Sequence, residues 1–200
     1  MRPSHKKEGL FNAKYMRKKH KISEESRIHL RLAEECDREQ VTDYLHETWD
    51  VGEETVNGGA GLEGYETYDE WLAANRRNRQ EETVREGFVP ASTFLALDKN
   101  ERLIGMIDLR HRLNRWLLRY GGNVGYSVRP SERRKGYAAE MLKLVLKEAA
   151  KIGLDRVLIT CDDDNAASRG VILKCGGVLE NEVEGPDEGQ ITERYWINVG

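Results

Sequence analysis

"VGYSVRPSERRKGYAAEMLKLVLKEAAK", residues 124–151, opens as a strand, crosses a polar turn and continues as an amphipathic helix. Ala138, Met141, Leu142, Val145, Ala149 and Ile152 recur at helical spacing, which predicts one buried stripe on a helix from about 136 to 151. Gly153 supplies its stop. An apolar run, "RVLIT" (156–160), follows directly and reads as a second strand. Strand, helix and strand make a βαβ crossover, which predicts a parallel pair inside a mixed sheet.

The junction between the first strand and the helix carries Arg133, Arg134 and Lys135, although the dipole disfavours cations at a helix start. The first N–H groups of a helix have no intrahelical acceptor and form an anion site. Gly136 allows close backbone approach there, and Ala138 leaves no bulky side chain in the way. The three cations add charge-assisted bonds worth about 1.5–3 kcal/mol each when well formed. A pyrophosphate satisfies this arrangement. No GxGxxG follows a strand and no GxxxxGK[ST] occurs, which speaks against dinucleotide and P-loop readings.

Working outward, "RIHLRLAE" (27–34) alternates like a half-buried strand, and "DREQVTDYLHETWD" (37–50) has helical spacing with Asp37 as N-cap. Residues 51–66 form a glycine-rich stretch without phosphate-binding spacing, expected as a mobile surface loop. "TYDEWLAANRRNRQ" (67–80) resumes a helix behind the capping box Thr67-x-x-Glu70. "STFLALD" and "RLIGMIDLRH" form a hairpin around "KNE". "RLNRWLLRYGG" reads as a connector. "NAASRGVILKCGG" is a helix opened by Asn165, and "VLENEVE" and "ITERYWINV" close the chain as two strands. The order is β-α-α-β-β-β-α-β-α-β-β. It implies an α/β fold with a twisted mixed sheet of about seven strands flanked by about four helices.

The 200 residues carry a net charge of −3. Residues 1–21 hold eight Lys/Arg against Glu8, a local +7, so the remainder carries −10. Residues 1–25 are expected as a basic extension, either a solvated tail or an arm for an acidic partner, and residues 26–200 as a single domain. The acidic body speaks against a nucleic-acid groove and favours cationic substrates. Three widely spaced cysteines, Cys36, Cys161 and Cys175, favour neither a disulfide framework nor a zinc site and fit a reducing cytoplasm. No run of 18 apolar residues occurs, so no membrane span is expected.

At the junction the sequence resembles the GNAT superfamily of N-acetyltransferases, whose R/Q-x-x-G-x-G/A motif holds the pyrophosphate of acetyl-CoA. The matching run is Arg133-Arg134-Lys135-Gly136-Tyr137-Ala138, continued by Ala139. Tyr126-Ser127-Val128 match the strand whose backbone pairs with the pantetheine arm and acetyl carbonyl. Asn165, with Ser168 on the helix it opens, matches a position beside the pantetheine. The resemblance implies a GNAT-like fold, acetyl-CoA as donor, and a small-molecule or peptide amine as acceptor, bound by a monomer or homodimer. The segment 51–82, with nearby Trp49, Tyr65, Tyr68 and Trp71, lies where the family shapes its acceptor pocket. Two positions depart from the pattern. Ile172 stands where many members have a tyrosine acid, and Thr160 where some have a glutamate base.

An alkylamine with pKa near 10.4 needs roughly 4–5 kcal/mol to become neutral at pH 7. His111, at the end of "MIDLRH", is the candidate base, and Tyr195 in "RYWI" the candidate acid. Asp108 is expected to face away from His111. Asp162-Asp163-Asp164 read as helix-start charge rather than a metal loop, and no metal is expected. Cys161 and Cys175 read as small core fillers. A backbone N–H near Val128 is the expected oxyanion donor. Acetyl transfer to a primary amine through a ternary complex is the leading reading. A non-catalytic acyl-CoA-binding module, motivated by Ile172 and Thr160, is the alternative.

Overall fold

A computed structural model describes residues 26–200. The basic extension expected at 1–25 lies outside the described residues. The strands are β1 (Ile28–Leu32), β2 (Ala91–Asp98), β3 (Leu103–Arg110), β4 (Val124–Val128), β5 (Arg156–Asp162), β6 (Val178–Glu184) and β7 (Ile191–Asn198). The α-helices are α1 (Arg38–Asp50), α2 (Tyr68–Arg77), α3 (Tyr137–Lys151) and α4 (Ala166–Lys174). Among the described residues, seven strands, four α-helices and their order agree with the sequence reading.

The sheet is divided. β1-β2-β3-β4 form one antiparallel sheet and β5-β7-β6 another. The expected parallel pair, β4 and β5, forms no ladder. The strands are instead tied at Asn123, just before β4. Its amide donates to the Leu158 carbonyl at 2.6 Å, and its Oδ1 accepts from the Leu158 amide at 2.9 Å. Beyond this tie the two strands separate.

Helix α3 packs where the sheets meet. Met141, Leu142, Val145 and Ala149 are fully buried against Ile107, Val124, Val157, Ile159 and Ile197. The buried Met, Leu, Val and Ile side chains among these contribute about 1.5–3 kcal/mol each. The stripe is rotated slightly from the expected one. Ala139 is buried and Ala138 is only half-buried, while Ile152 is exposed past the last turn. Gly153 ends the helix at φ 81°.

The other face of β2 and β3 carries α1 and α2, with Val41, Tyr44, Trp71 and Leu72 packed on Leu95, Leu97, Leu103 and Met106. The Thr67–Glu70 capping box opens α2. Asp37 does not cap α1 with its side chain. It is buried in a fork with Arg31, both oxygens at 2.7 Å, and accepts from the Glu34 amide. The expected mobile loop at 51–66 is a packed element, with Val56 and Leu62 in this second core. Among the described residues no helix is long and apolar enough to cross a membrane.

Candidate active site

The phase of the β3–β4 pairing aims the backbone of β4. Arg110 N–H bonds Asn123 O at 2.7 Å and Arg129 N–H bonds Ile104 O at 2.9 Å. Between these bonded positions, antiparallel residues alternate. Val124, Tyr126 and Val128, opposite Leu109, Ile107 and Gly105, therefore turn their N–H and C=O groups away from β3. That edge faces β5, with which it has no ladder. The space between them is a cleft of about 980 Å³. The sequence-expected oxyanion donor near Val128 lies on this edge.

The cleft ends at the start of α3. Arg134 (φ 63°) and Gly136 (φ 88°) both adopt left-handed backbone, which turns the chain sharply into the helix. Arg133, Arg134, Gly136, Tyr137, Ala138 and Ala139 all line the cleft. The cations are handled differently from one another. Arg133 forms a fork with Glu53, at 2.5 and 2.7 Å, and its Nε donates to the Val128 carbonyl at 3.0 Å. Lys135 pairs with Glu132 at 2.8 Å and lies outside the cleft lining. Arg134 has no carboxylate partner among the described residues and remains available to an anion.

Side chains remote in sequence brace this turn. Glu47 of α1 accepts from Arg129 Nε and, at 2.6 Å, from the Ser131 amide. Arg27 donates to the Lys135 carbonyl at 2.9 Å and to Glu140, and stacks on Tyr137 at 4.5 Å.

The opposite wall comes from α4. Asn165 caps it, accepting the Ser168 amide at 2.9 Å, and Ser168 Oγ lies 3.0 Å from the Tyr126 hydroxyl. Burial pushes the Tyr126 phenol up to about 12. Tyr126, Asn165 and Ser168 thus form one linked group in the lining. Ser127 also lines the cleft but bonds elsewhere: Tyr44 donates to its Oγ at 2.8 Å, and that Oγ donates to Asn57 O at 2.6 Å. This chain clamps the 51–66 loop onto β4. Gly58 (φ 77°) fits because a Cβ there would sit 2.4 Å from Gly125 O. Among the described residues, no group of three or more His, Cys, Asp or Glu is arranged to hold a metal ion.

The two candidate acid–base residues are not brought to the cleft. His111 bonds Ser92 Oγ through Nε2 at 2.9 Å, and burial lowers its pKa against the opposing charge of Asp108. Tyr195 is core, its hydroxyl donating to Glu193 at 2.8 Å. Glu193 in turn is gripped by Arg169. Ile172 is fully buried, and Thr160 lines the cleft with its hydroxyl on Tyr120 O at 2.7 Å. Cys161 lines the cleft edge, but its thiol points to Glu193, and burial pushes it up to about 12. Asp162 also lines the cleft, its carboxyl raised by burial and by Asp164.

The aromatics expected at an acceptor pocket go elsewhere. Tyr68 and Trp71 are core, and Trp49 is half exposed outside the lining. Trp116 and Tyr120 line the cleft instead; Trp116 precedes and Tyr120 lies within a π-helical turn at Leu117–Gly121, inside the expected connector. Apolar "WLLRYGG" carried the only signal for it.

A protein-family model, the acetyltransferase (GNAT) domain, matches residues 27–178. Among curated proteins no sequence matches the chain. Solved structures share the fold at low identity. One is the Salmonella typhimurium acetyl transferase that modifies the N-terminal serine of ribosomal protein L7/L12, with 18% identity, TM-score 0.61, and 88% of this chain and 97% of that one covered. The ribosomal L7/L12 α-N-protein acetyltransferase RimL in complex with coenzyme A gives 18%, 0.64, 88% and 96%. Spermidine N-acetyltransferase from Vibrio cholerae with CoA and spermine gives 19%, 0.59, 88% and 97%.

Proposed function

The chain belongs to the GNAT acetyltransferase family, which takes its acetyl group from acetyl-CoA, and we propose that it transfers that group to a primary amine by direct attack in a ternary complex. The supporting observation is the open edge of β4 running into the bare N-terminus of α3 beside Arg133 and Arg134. Its chemistry fits both halves of the donor. The outward amides of Tyr126 and Val128 and the Tyr126 carbonyl suit the amide-bearing pantetheine arm. The first turn of α3 and the Arg134 guanidinium suit the pyrophosphate.

The bound thioester supplies an acyl group already activated for attack. The amine nitrogen forms a bond to the acetyl carbon, the carbon–sulfur bond breaks, and the thiolate leaves with a proton derived from the amine. The protein's part is positioning, together with an amide of the β4 edge donating to the carbonyl oxygen as negative charge develops there. His111 and Tyr195 lie outside the lining, so the reading assigns them no contact with the reacting atoms.

The acceptors of the structural neighbours, an N-terminal serine and spermidine, are both amines, which supports an amine here. Calorimetric titration with CoA tests the cofactor site. Wild type should bind, and Arg133→Ala/Arg134→Ala should bind at least tenfold (roughly, for one lost charge-assisted bond) more weakly. Unchanged affinity in the double variant refutes the site. Thiol release from acetyl-CoA across an amine panel separates enzyme from non-catalytic module, since turnover of any amine rejects the module.

A further inference from the structure

We propose that Arg110 reads a carboxylate on the acceptor, so that the amine acetylated by this protein is also an acid, with an apolar body resting on Trp116. The inference builds on the acetyl-transfer reading and specifies its substrate class.

Arg110 ends β3 and points to the α1–α2 side of the sheet, away from α3. Its guanidinium is fixed at two nitrogens. Nε lies 2.8 Å from Asp108 Oδ2, and Nη1 donates to the Gly121 carbonyl at 2.9 Å. Asp108 is itself buried and held by the Thr93 hydroxyl at 2.9 Å. The remaining nitrogen, Nη2, lies over β4: a Cβ on Gly125 would stand only 3.2 Å from it. Glycine at 125 therefore leaves the guanidinium room against the strand whose outward amides flank the acyl group. The Arg110 side chain is about one-quarter exposed, and it lines the cleft. The N–H groups left on Nη2 of a guanidinium held in this way suit a carboxylate oxygen, which accepts a charge-assisted bond from them.

The neighbouring wall is built to stay in place. A Cβ on Gly121 would lie 2.6 Å from the Trp116 ring, so this glycine both seats the indole and presents the carbonyl that pins Arg110. Trp116 is 56% exposed and lies 6.0 Å, centroid to centroid, from Tyr120. Thr160 of β5 anchors the turn through Tyr120 O, and Arg194 of β7 through Leu118 O at 2.9 Å. π-Helical turns recur at functional sites. An exposed indole beside a fixed guanidinium offers an apolar surface and a carboxylate anchor in one place. Among the other carboxylates lining the cleft, Glu53 is engaged by Arg133, and Glu132 by Lys135 and Arg102. Asp162 stands at the far end of β5, next to the start of α4.

The simplest competing role for Arg110 is to neutralise Asp108 and nothing more. Binding of product analogues to the CoA-loaded protein separates the two roles without depending on turnover or on amine pKa. The probes are N-acetylphenylalanine and its carboxamide, titrated calorimetrically. N-acetylphenylalanine should bind about 10–100-fold more tightly, the worth of one charge-assisted hydrogen bond. Arg110→Gln should abolish the difference while CoA affinity stays unchanged, and Trp116→Ala should weaken both compounds alike. If Arg110→Gln does not fold, Arg110→Lys, which keeps a cation beside Asp108, should retain a reduced preference. Equal binding of the two probes to wild type, binding of neither, or a preference that survives loss of Arg110 overturns the proposal. Failure of wild type to bind CoA is a different result, and it overturns the acetyl-transfer reading instead.

Discussion

Asn123 and Leu158 exchange two hydrogen bonds across the gap between the sheets, one through the Asn123 amide and one through its side-chain oxygen. The same side chain donates from Nδ2 to the Arg110 carbonyl at 3.1 Å. A buried asparagine thus supplies the contact that a parallel ladder would have made, at one point only. It ties the strands at the start of β4, and beyond it β4 has no ladder with β5. Asn123→Ala strands the Leu158 amide and deprives the Arg110 carbonyl of a partner. A loss of about 2–5 kcal/mol is expected from two orphaned buried groups, read by urea unfolding. A loss within 0.5 kcal/mol (roughly the range of neutral surface changes) would show that solvent or backbone shift replaces the tie.

Arg133 is held by Glu53 across 80 residues of sequence. Anion binding at the α3 start has to compete with that carboxylate. Glu53→Gln is therefore expected to tighten CoA binding. Both side chains are more than a third exposed, 36% and 46%, so the gain is modest. About two- to fivefold is expected for a solvent-screened pair. Weaker CoA binding in this variant would mean that Glu53 orients Arg133 for the ligand rather than competing with it.

Two glycines should respond differently to alanine. Gly136→Ala meets little, since the nearest atom is Arg27 Nη2 at 3.6 Å, and the cost is the left-handed backbone alone, about 1–2 kcal/mol. Gly58→Ala carries similar strain but drives a methyl into the Gly125 and Tyr126 backbone. It should cost about 1–3 kcal/mol more and lift the loop from β4. Thermal unfolding of the two variants side by side checks the order.

The three cysteines are free. Cys36 is exposed, whereas burial raises the pKa of both Cys161 and Cys175. One thiol should react quickly with Ellman's reagent at pH 8 and two only slowly. Peptide mapping should place the fast adduct on Cys36. A fast Cys161 would contradict its protonated contact with Glu193.

Glu193 has its pKa lowered, first by hydrogen bonding to Arg169 and then by Tyr195 and Cys161 against the opposing effect of burial. A depressed carboxylate stabilises the fold above its unfolded value near 4.5 and loses that contribution as pH falls through the lower folded value. Wild type should therefore lose stability as pH drops below about 4.5, and Glu193→Gln should show a shallower decline. Parallel acid profiles would remove Glu193 from the acid response.

Much of the scaffold around the candidate site was open to reading before folding because its signals are local. The strand–turn–helix at 124–151, the Thr67 capping box, the Asn165 cap and the hairpin at 91–110 each depend on residues a few positions apart. So does the left-handed turn at Gly136 from which α3 starts. Where the acid–base candidates lie relative to the cleft was not legible in this way. His111 and Tyr195 have suitable chemistry, but which neighbour each side chain meets is set by Ser92 and Glu193 on the folded sheets.

The sequence by itself determined the element order, most of the buried stripe of α3 and the glycine turn at its start, because periodicity, capping and glycine placement act over one or two turns. Tertiary structure decided that β4 and β5 part after a single asparagine tie, that Glu53 engages Arg133, and that Arg110 and Trp116 line one wall. Those outcomes rest on contacts between segments far apart in the chain, where packing and the pairing of buried polar groups outweigh local preference.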